Sequence, residues 1–186
     1  MNRKYLFALA PVAMLAACGS QSEDAADPTP TASPPTPTLL GSATLSLADG
    51  KSVGTAELNG NGEEVSISVV LSGLPEGVRA VHLHTTGSCE APDFASAGGH
   101  LNPGMHEHGK ENPKGAHLGD LPNATIDANG DGTITAALTG TQADVRAAIF
   151  DTDGTAIVVH QDQDDYKTDP TGNAGGRLAC GVFAAS

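Results

Sequence analysis

The feature that most constrains this chain is a period of two. Val65, Ile67, Val69 and Leu71 alternate with Ser66, Ser68 and Val70. Successive strand side chains point to opposite faces, so this run offers one apolar face and one mixed face. Ser72-Gly73 and Pro75-Glu76-Gly77 then break it, as turn residues do. Comparable short runs recur at residues 43–48, 53–58, 78–84, 124–128, 133–138, 156–160 and 178–183. Residues 141–149 are the one helical candidate, short enough to be a connecting loop with a single turn. The pattern predicts an all-β fold, an eight-stranded antiparallel barrel or sandwich with Greek-key crossings.

Two segments break the strand rhythm. Residues 85–121 are rich in Gly, Pro, Asn and His, and residues 161–176 in Asp, Gly and Thr. Loops of this length are uncommon unless they are functional or disordered, so both are expected to carry the function. The stretch Asp127-Ala-Asn129-Gly-Asp131-Gly132 imitates the opening of a calcium-binding loop. Its twelfth position is Leu138 where a bidentate Glu is needed, and strands flank it, so it is read as a hairpin turn.

The N-terminus carries Arg3 and Lys4, then an apolar run to Ala17, the arrangement of a secretory signal too short to span a bilayer stably. Leu15-Ala16-Ala17-Cys18 resembles the bacterial lipobox, in which the Cys is lipidated and becomes the first mature residue. Acyl chains there predict firm membrane attachment. A Pro-rich spacer follows, with Pro at 28, 30, 34, 35 and 37 and almost nothing apolar to bury. The expected division is therefore 1–17 signal peptide, 18–38 lipidated Cys and disordered linker, and 39–186 folded domain. Cys89 and Cys180 remain in an exported chain, where a disulfide is the default and two buried free thiols the alternative. The formal charge of −13 becomes −15 once Arg3 and Lys4 are removed, which disfavours a nucleic-acid partner.

All seven His fall between residues 82 and 160. His82 and His84, at i and i+2 of a strand, share a face. His100, His108 and His117 follow in the first long loop, Asp120 lies three residues after His117, and His160 closes a later strand. Imidazole suits copper and zinc, and one carboxylate among several His suits tetrahedral zinc. These seven residues are too many for one such ion. They fit two four-ligand sites when one His bridges both through its two nitrogens.

In that order and spacing, His82-Leu-His84, Gly99-His100-Leu101-Asn102-Pro103, His108-Gly109, His117-Leu118-Gly119-Asp120-Leu121, Val159-His160 and the closing 172–181 segment resemble a bacterial copper/zinc superoxide dismutase, across residues 40–186. The resemblance implies copper on His82, His84, His100 and His160, and zinc on His100, His108, His117 and Asp120, with His100 as the bridge. It implies that Asp164 links a copper His to a zinc His, with Asp162 and Asp165 as competitors. It implies the Cys89–Cys180 disulfide, Arg177 as the group that attracts and orients superoxide, and Thr171 along the same channel. The implied activity is dismutation of superoxide to dioxygen and hydrogen peroxide.

His106 matches no ligand and is expected to be an exposed loop His. Pro170 stands where some family members carry a channel Lys, leaving Lys167 or Lys114 as steering cations. A rival of another class is a copper-buffering lipoprotein on the same barrel. It needs neither an anion-orienting Arg177 nor a bridging His100. Monomer and homodimer both stay open, and the expected location is the cell envelope, lipid-anchored at an outer membrane facing the periplasm.

Overall fold

The computed structural model describes residues 36–186; the expected signal segment, Cys18 and the expected linker up to residue 35 lie outside the described residues. Ten strands form: β1 (Thr38–Leu47), β2 (Ser52–Asn61), β3 (Glu64–Leu71), β4 (Gly77–Arg79), β5 (Val81–His84), β6 (Ala124–Ile126), β7 (Gly132–Leu138), β8 (Ala156–His160), β9 (Arg177–Val182) and β10 (Ala184–Ala185). The eight expected runs are all present. The run at 78–84 is divided at Ala80 into β4 and β5, and β10 is added at the C-terminus.

One antiparallel sheet runs β5-β8-β9-β1-β2-β3-β7, with β10 on β1, while β4 pairs β6. The division at Ala80 lets a single stretch of chain serve both sheets, so the large sheet curls back towards the β4–β6 pair as an all-β half-barrel. The links β3 to β4 and β7 to β8 pass between strands that are not neighbours, which makes the crossings Greek-key. The 127–131 segment is a turn: the Asp127 carboxylate accepts the Asn129 and Asp131 backbone N–H groups at 2.8 and 3.0 Å.

Residues Gln142–Ile149 form a true α-helix, α1, more than the single turn expected. Thr141 caps it, accepting the Asp144 N–H at 3.2 Å and donating its hydroxyl to the Asp144 carboxylate at 2.8 Å. Val145 and Ile149, one helical step of four apart, bury against the barrel.

The alternation of β3 works as the pattern requires. Val65, Ile67, Val69 and Leu71 are buried with Leu45, Leu58, Leu83, Ile126 and Ile157, while Val70 is exposed. β5 and β8 are buried on both faces. Val81, Leu83, Ile157 and Val159 face the barrel core. Ala156 and Val158 face outwards into a second small core with Phe94, Ala97 and Cys180. The outward face of these two strands, roofed by the long loops, is where His82, His84 and His160 stand.

Candidate metal centre

The first long loop returns to β5 and docks on its free edge. Leu83 N–H donates to the Gly119 carbonyl at 2.9 Å, Leu101 N–H to the Leu83 carbonyl at 2.8 Å, and Thr85 N–H to the Gly99 carbonyl at 2.9 Å. An unpaired strand edge is thereby satisfied, and the same bonds bring His100 opposite His84 and Asp120 opposite His82. The docking needs glycine at 119: a Cβ there would stand 2.4 Å from the Leu83 carbonyl oxygen.

Two four-residue groups result. His82, His84, His100 and His160 hold ligand atoms within 4.8 Å of one another, with His84 Nε2 and His160 Nε2 3.4 Å apart. In the second group, Asp120 Oδ1 lies 3.1 Å from His100 Nδ1, 3.0 Å from His108 Nδ1 and 3.2 Å from His117 Nδ1. His117 Nδ1 is 3.4 Å from His100 Nδ1. Ligands on a tetrahedral zinc at about 2.0 to 2.1 Å stand roughly 3.3 Å from one another, so these spacings fit a four-coordinate cation. His82 also comes within 4.8 Å of His100, His108 and Asp120, but its Nε2 is already engaged by Asp164.

The unpartnered atoms point the same way. His82 Nδ1 and His100 Nε2 are buried without a hydrogen-bond partner, and His108 Nδ1 approaches Asp120 without making a proper hydrogen bond. Buried polar atoms left unpaired are costly, and an imidazole nitrogen with a free lone pair is a metal donor. The donor set therefore fits the copper and zinc that the resemblance implies.

The other nitrogens are held in place. Asp164 spans the two groups, its Oδ2 2.9 Å from His82 Nε2 and its Oδ1 2.9 Å from His108 Nε2. His84 Nδ1 is 2.9 Å from the Gly98 carbonyl. Such bonds fix the tautomer and leave the opposite nitrogen free to ligate. Gly172, at φ +65°, packs against Asp164 and His108 so closely that a Cβ would fall 2.0 Å from Asp164 Oδ1.

Electrostatics divide the centre. Burial pushes His82 down to about 4 in spite of Asp164, His160 to about 3, and His84 lower still against the pull of the Gly98 carbonyl. Burial also opposes charge on His108, but Asp120 and Asp164 on either side prevail and raise it to about 9. Both carboxyls, though buried, are held well below the usual range by the groups that face them: His100, the close His108 ring and the Gly109 N–H at Asp120, and His108 and His82 at Asp164.

Arg177, at the start of β9, is tied by its guanidinium to the carbonyls of Phe94 and Gly98, each at 2.6 Å. The Gly98 carbonyl thus serves both Arg177 and His84, and Arg177 stands beside the His84 group. Cys89 and Cys180 form the disulfide that pins this loop to β9. In the loop-entropy description, a crosslink over 91 residues restricts the unfolded chain by roughly 4 to 5 kcal/mol.

Of the three candidate acids, only Asp164 reaches the imidazoles. Asp165 instead accepts from the backbone of Lys167 and Thr168, the Thr168 hydroxyl and the Asn173 amide, and Asp162 is exposed beside Gly175. The proposed steering lysines are already in exposed ion pairs, Lys114 with Glu107 at 2.8 Å and Lys167 with Glu111 at 2.7 Å. Thr171 and His106 are exposed. Sequence reasoning missed Asn123, whose side-chain amide brackets the Asp164 backbone with two bonds of 2.9 Å, and Asp169, which accepts the His108 N–H at 2.7 Å. It also missed the Phe94 and Gly98 carbonyls. A backbone acceptor leaves no mark in residue identity.

An antiparallel half-barrel with two adjoining metal-ligating groups roofed by disulfide-pinned loops defines a class, a β-barrel protein with a two-metal centre. Residues 52–183 match the family "Copper/zinc superoxide dismutase (SODC)". The chain is 42% identical over 136 residues to superoxide dismutase [Cu-Zn] 1 of Aquifex aeolicus, covering 72% of this chain and 80% of that protein. It is 40% identical over 147 residues to the [Cu-Zn] enzyme of Caulobacter vibrioides, covering 76% and 83%. A crystal structure of a superoxide dismutase-like protein from Bacillus subtilis is similar at a TM-score of 0.72 and 36% identity, covering 79% of this chain and 100% of that one. The chain belongs to the copper/zinc superoxide dismutase family, whose metals are copper and zinc and whose substrate is superoxide.

Proposed function

We propose that this protein dismutes superoxide in the cell envelope, with copper held by His82 Nδ1, His84 Nε2, His100 Nε2 and His160 Nε2, and zinc by the Nδ1 atoms of His100, His108 and His117 with Asp120 Oδ1. The observation that carries the reading is His100: it is shared by both groups, with Nδ1 3.1 Å from Asp120 and Nε2 buried and unpaired. Copper, when bound, supplies the one-electron cycling that takes one superoxide to dioxygen and another to hydrogen peroxide, while zinc is redox-silent.

The chain's own residues do the rest. Arg177 supplies a fixed positive fork beside the His84 group, on which a small oxyanion docks through two donors. His100 Nε2, buried and without a hydrogen-bond partner, is the nitrogen that would carry a proton whenever its lone pair is not held by copper, and that proton would go to the departing peroxide. Asp164 keeps the His82 and His108 rings from rotating, so the two groups hold one geometry. The decisive assay is superoxide consumption by the purified chain after defined loading with copper and zinc. Rapid consumption only in the copper-loaded form supports the reading. Tight copper binding without turnover turns it into the copper-buffering alternative.

Anchoring belongs to the same proposal, supported by the lipobox-like Leu15-Ala-Ala-Cys18 and the Pro-rich stretch after it. Cys18→Ser is expected to abolish lipidation and release the protein from membranes or leave it unprocessed. An unmodified mature N-terminus at another residue, found by mass spectrometry, refutes it.

A further inference from the structure

The zinc group is not sealed on every side. The His108 and Asp120 side chains are fully covered and His100 nearly so, whereas the His117 side chain keeps 6% of its surface exposed. That exposure opens into a cavity of about 730 Å³ between the first long loop and α1, walled by Pro103, Leu118, Val145 and Ala148. His106 and Asp144 also line it, from the loop and the helix respectively.

His106 is held there with some care. Asn102 clamps its backbone from both sides, accepting the His106 N–H at 3.0 Å and donating to the His106 carbonyl at 2.8 Å. Its ring lies over Gly104, where a Cβ would meet it at 2.5 Å. The turn fixes the backbone from which the imidazole lines the cavity. An imidazole and a carboxylate are the donor types that zinc takes, and the cavity wall includes His117, whose Nδ1 faces Asp120.

We propose that this cavity is the route by which Zn²⁺ reaches the buried site, with His106 as the capture ligand at its mouth. The proposal rests on the zinc assignment to His100, His108, His117 and Asp120. The −13 formal charge of the chain favours encounter with a cation, and His106 concentrates that cation where a ligand exchange onto His117 can follow. Copper has no part in this route: His117 lies against Asp120 and the Nδ1 side of His100, and Arg177, a fixed cation, stands on the copper side.

The test uses the full chain, stripped of metal by chelation, and Zn²⁺ as the only probe, followed by stopped-flow competition with a chromophoric zinc chelator. His106→Ala is expected to slow zinc uptake by about tenfold, the low end of what local focusing of an ion supplies. Ala148→Trp, which fills the cavity and leaves His106 in place, is expected to slow it as well. Both variants should reach the wild-type zinc content at equilibrium and take up copper at the wild-type rate. Equal zinc uptake rates in wild type and both variants overturn the route while leaving the zinc assignment standing. Equal slowing of zinc and copper overturns it too, since a general disturbance of the loop then explains both. A wild-type chain that binds no zinc overturns the assignment and the route together.

Discussion

Two sets of histidines meet in this centre, and they are supported in different ways. His82, His84 and His160 grow from β5 and β8, strands whose other face is the barrel core. His100, His108, His117 and Asp120 come from an irregular loop held by three backbone bonds to the β5 edge and by the Asp120 and Asp164 carboxylates. The strand set is positioned by apolar packing that exists without any ion. The loop set is positioned by the polar atoms that an ion would use. Removing a ligand should therefore cost chemistry on the strand side and order on the loop side.

The largest effects come from deleting one ligand of each set. His160→Ala should lose copper and all superoxide turnover, keep zinc, and leave the amides of 99–121 as protected from hydrogen exchange as in the wild type. His117→Ala should lose zinc, expose the amides of 99–121 to hydrogen exchange and lower stability. Zinc present at a thousandfold excess over its dissociation constant contributes about 4 kcal/mol to the folded state, and that contribution is forfeited. Metal analysis with exchange mass spectrometry checks both. A loop equally protected in the His117→Ala protein would show that it needs no ion and would erase the contrast.

Asp164→Asn tests whether the two sets are coupled. Its carboxylate holds one ring from each. Loss of a partner of this kind weakens metal binding by roughly 10 to 100-fold, and here both metals should weaken. If only zinc weakens, the strand set is independent of its neighbour and the contrast is sharper than the structure implies.

The strand set was the more legible of the two because its information is local. A period of two is visible in Val65 to Leu71 and puts His82 and His84 on one face without reference to anything else. The capping pair Thr141 and Asp144, with Val145 and Ile149 four apart, was equally local, and α1 could have been read from it. The loop set was legible only as an inventory of His and Asp. Nothing in the spacing separates Asp164 from Asp162 and Asp165, because the choice depends on where Asn123 and Gly172 hold the backbone. Lys114 and Lys167 looked like free cations because Glu107 and Glu111 meet them only once the loops are folded.

Arg177 sits between the two regions: it starts β9, but the loop carbonyls of Phe94 and Gly98 aim it. The chain is acidic overall, so its average field opposes an anionic substrate and a local positive focus has to reverse that. With Lys114 and Lys167 in ion pairs, Arg177 is the cation that stands beside the His84 group. Arg177→Ala should keep both metals and the fold but lower the second-order rate constant by roughly one to two orders of magnitude. Salt should slow the wild type more than the variant. A fully metallated variant that works at the wild-type rate at low ionic strength removes Arg177 from substrate guidance.

The smallest expected effect is a count of protons, and it separates the two sets most cleanly. In the metal-free chain, burial keeps His82 and His160 neutral above about 4 and 3 respectively, and His84 neutral lower still. Asp120 and Asp164 keep His108 protonated up to about 9. A ligand must give up its proton to bind a metal, so at pH 7.5 zinc entering the loop set should displace about one proton from His108 that copper entering the strand set does not. Zinc affinity should therefore fall as the pH drops below 9, while the strand set meets no such competition until far lower pH. The same shifts act on stability with opposite signs. The raised His108 stabilises the metal-free fold fully below its unfolded value of about 6.5, and that contribution is lost as the pH rises through 9. The depressed strand histidines weaken the fold as the pH falls below about 6.5, because the unfolded chain takes up protons there and the folded chain does not. Calorimetric titration of each metal in buffers of different ionisation heat reads the difference directly. Equal proton release for the two metals at pH 7.5 would mean that His108 is neutral between its two carboxylates, and the electrostatic division of the centre would fall with it.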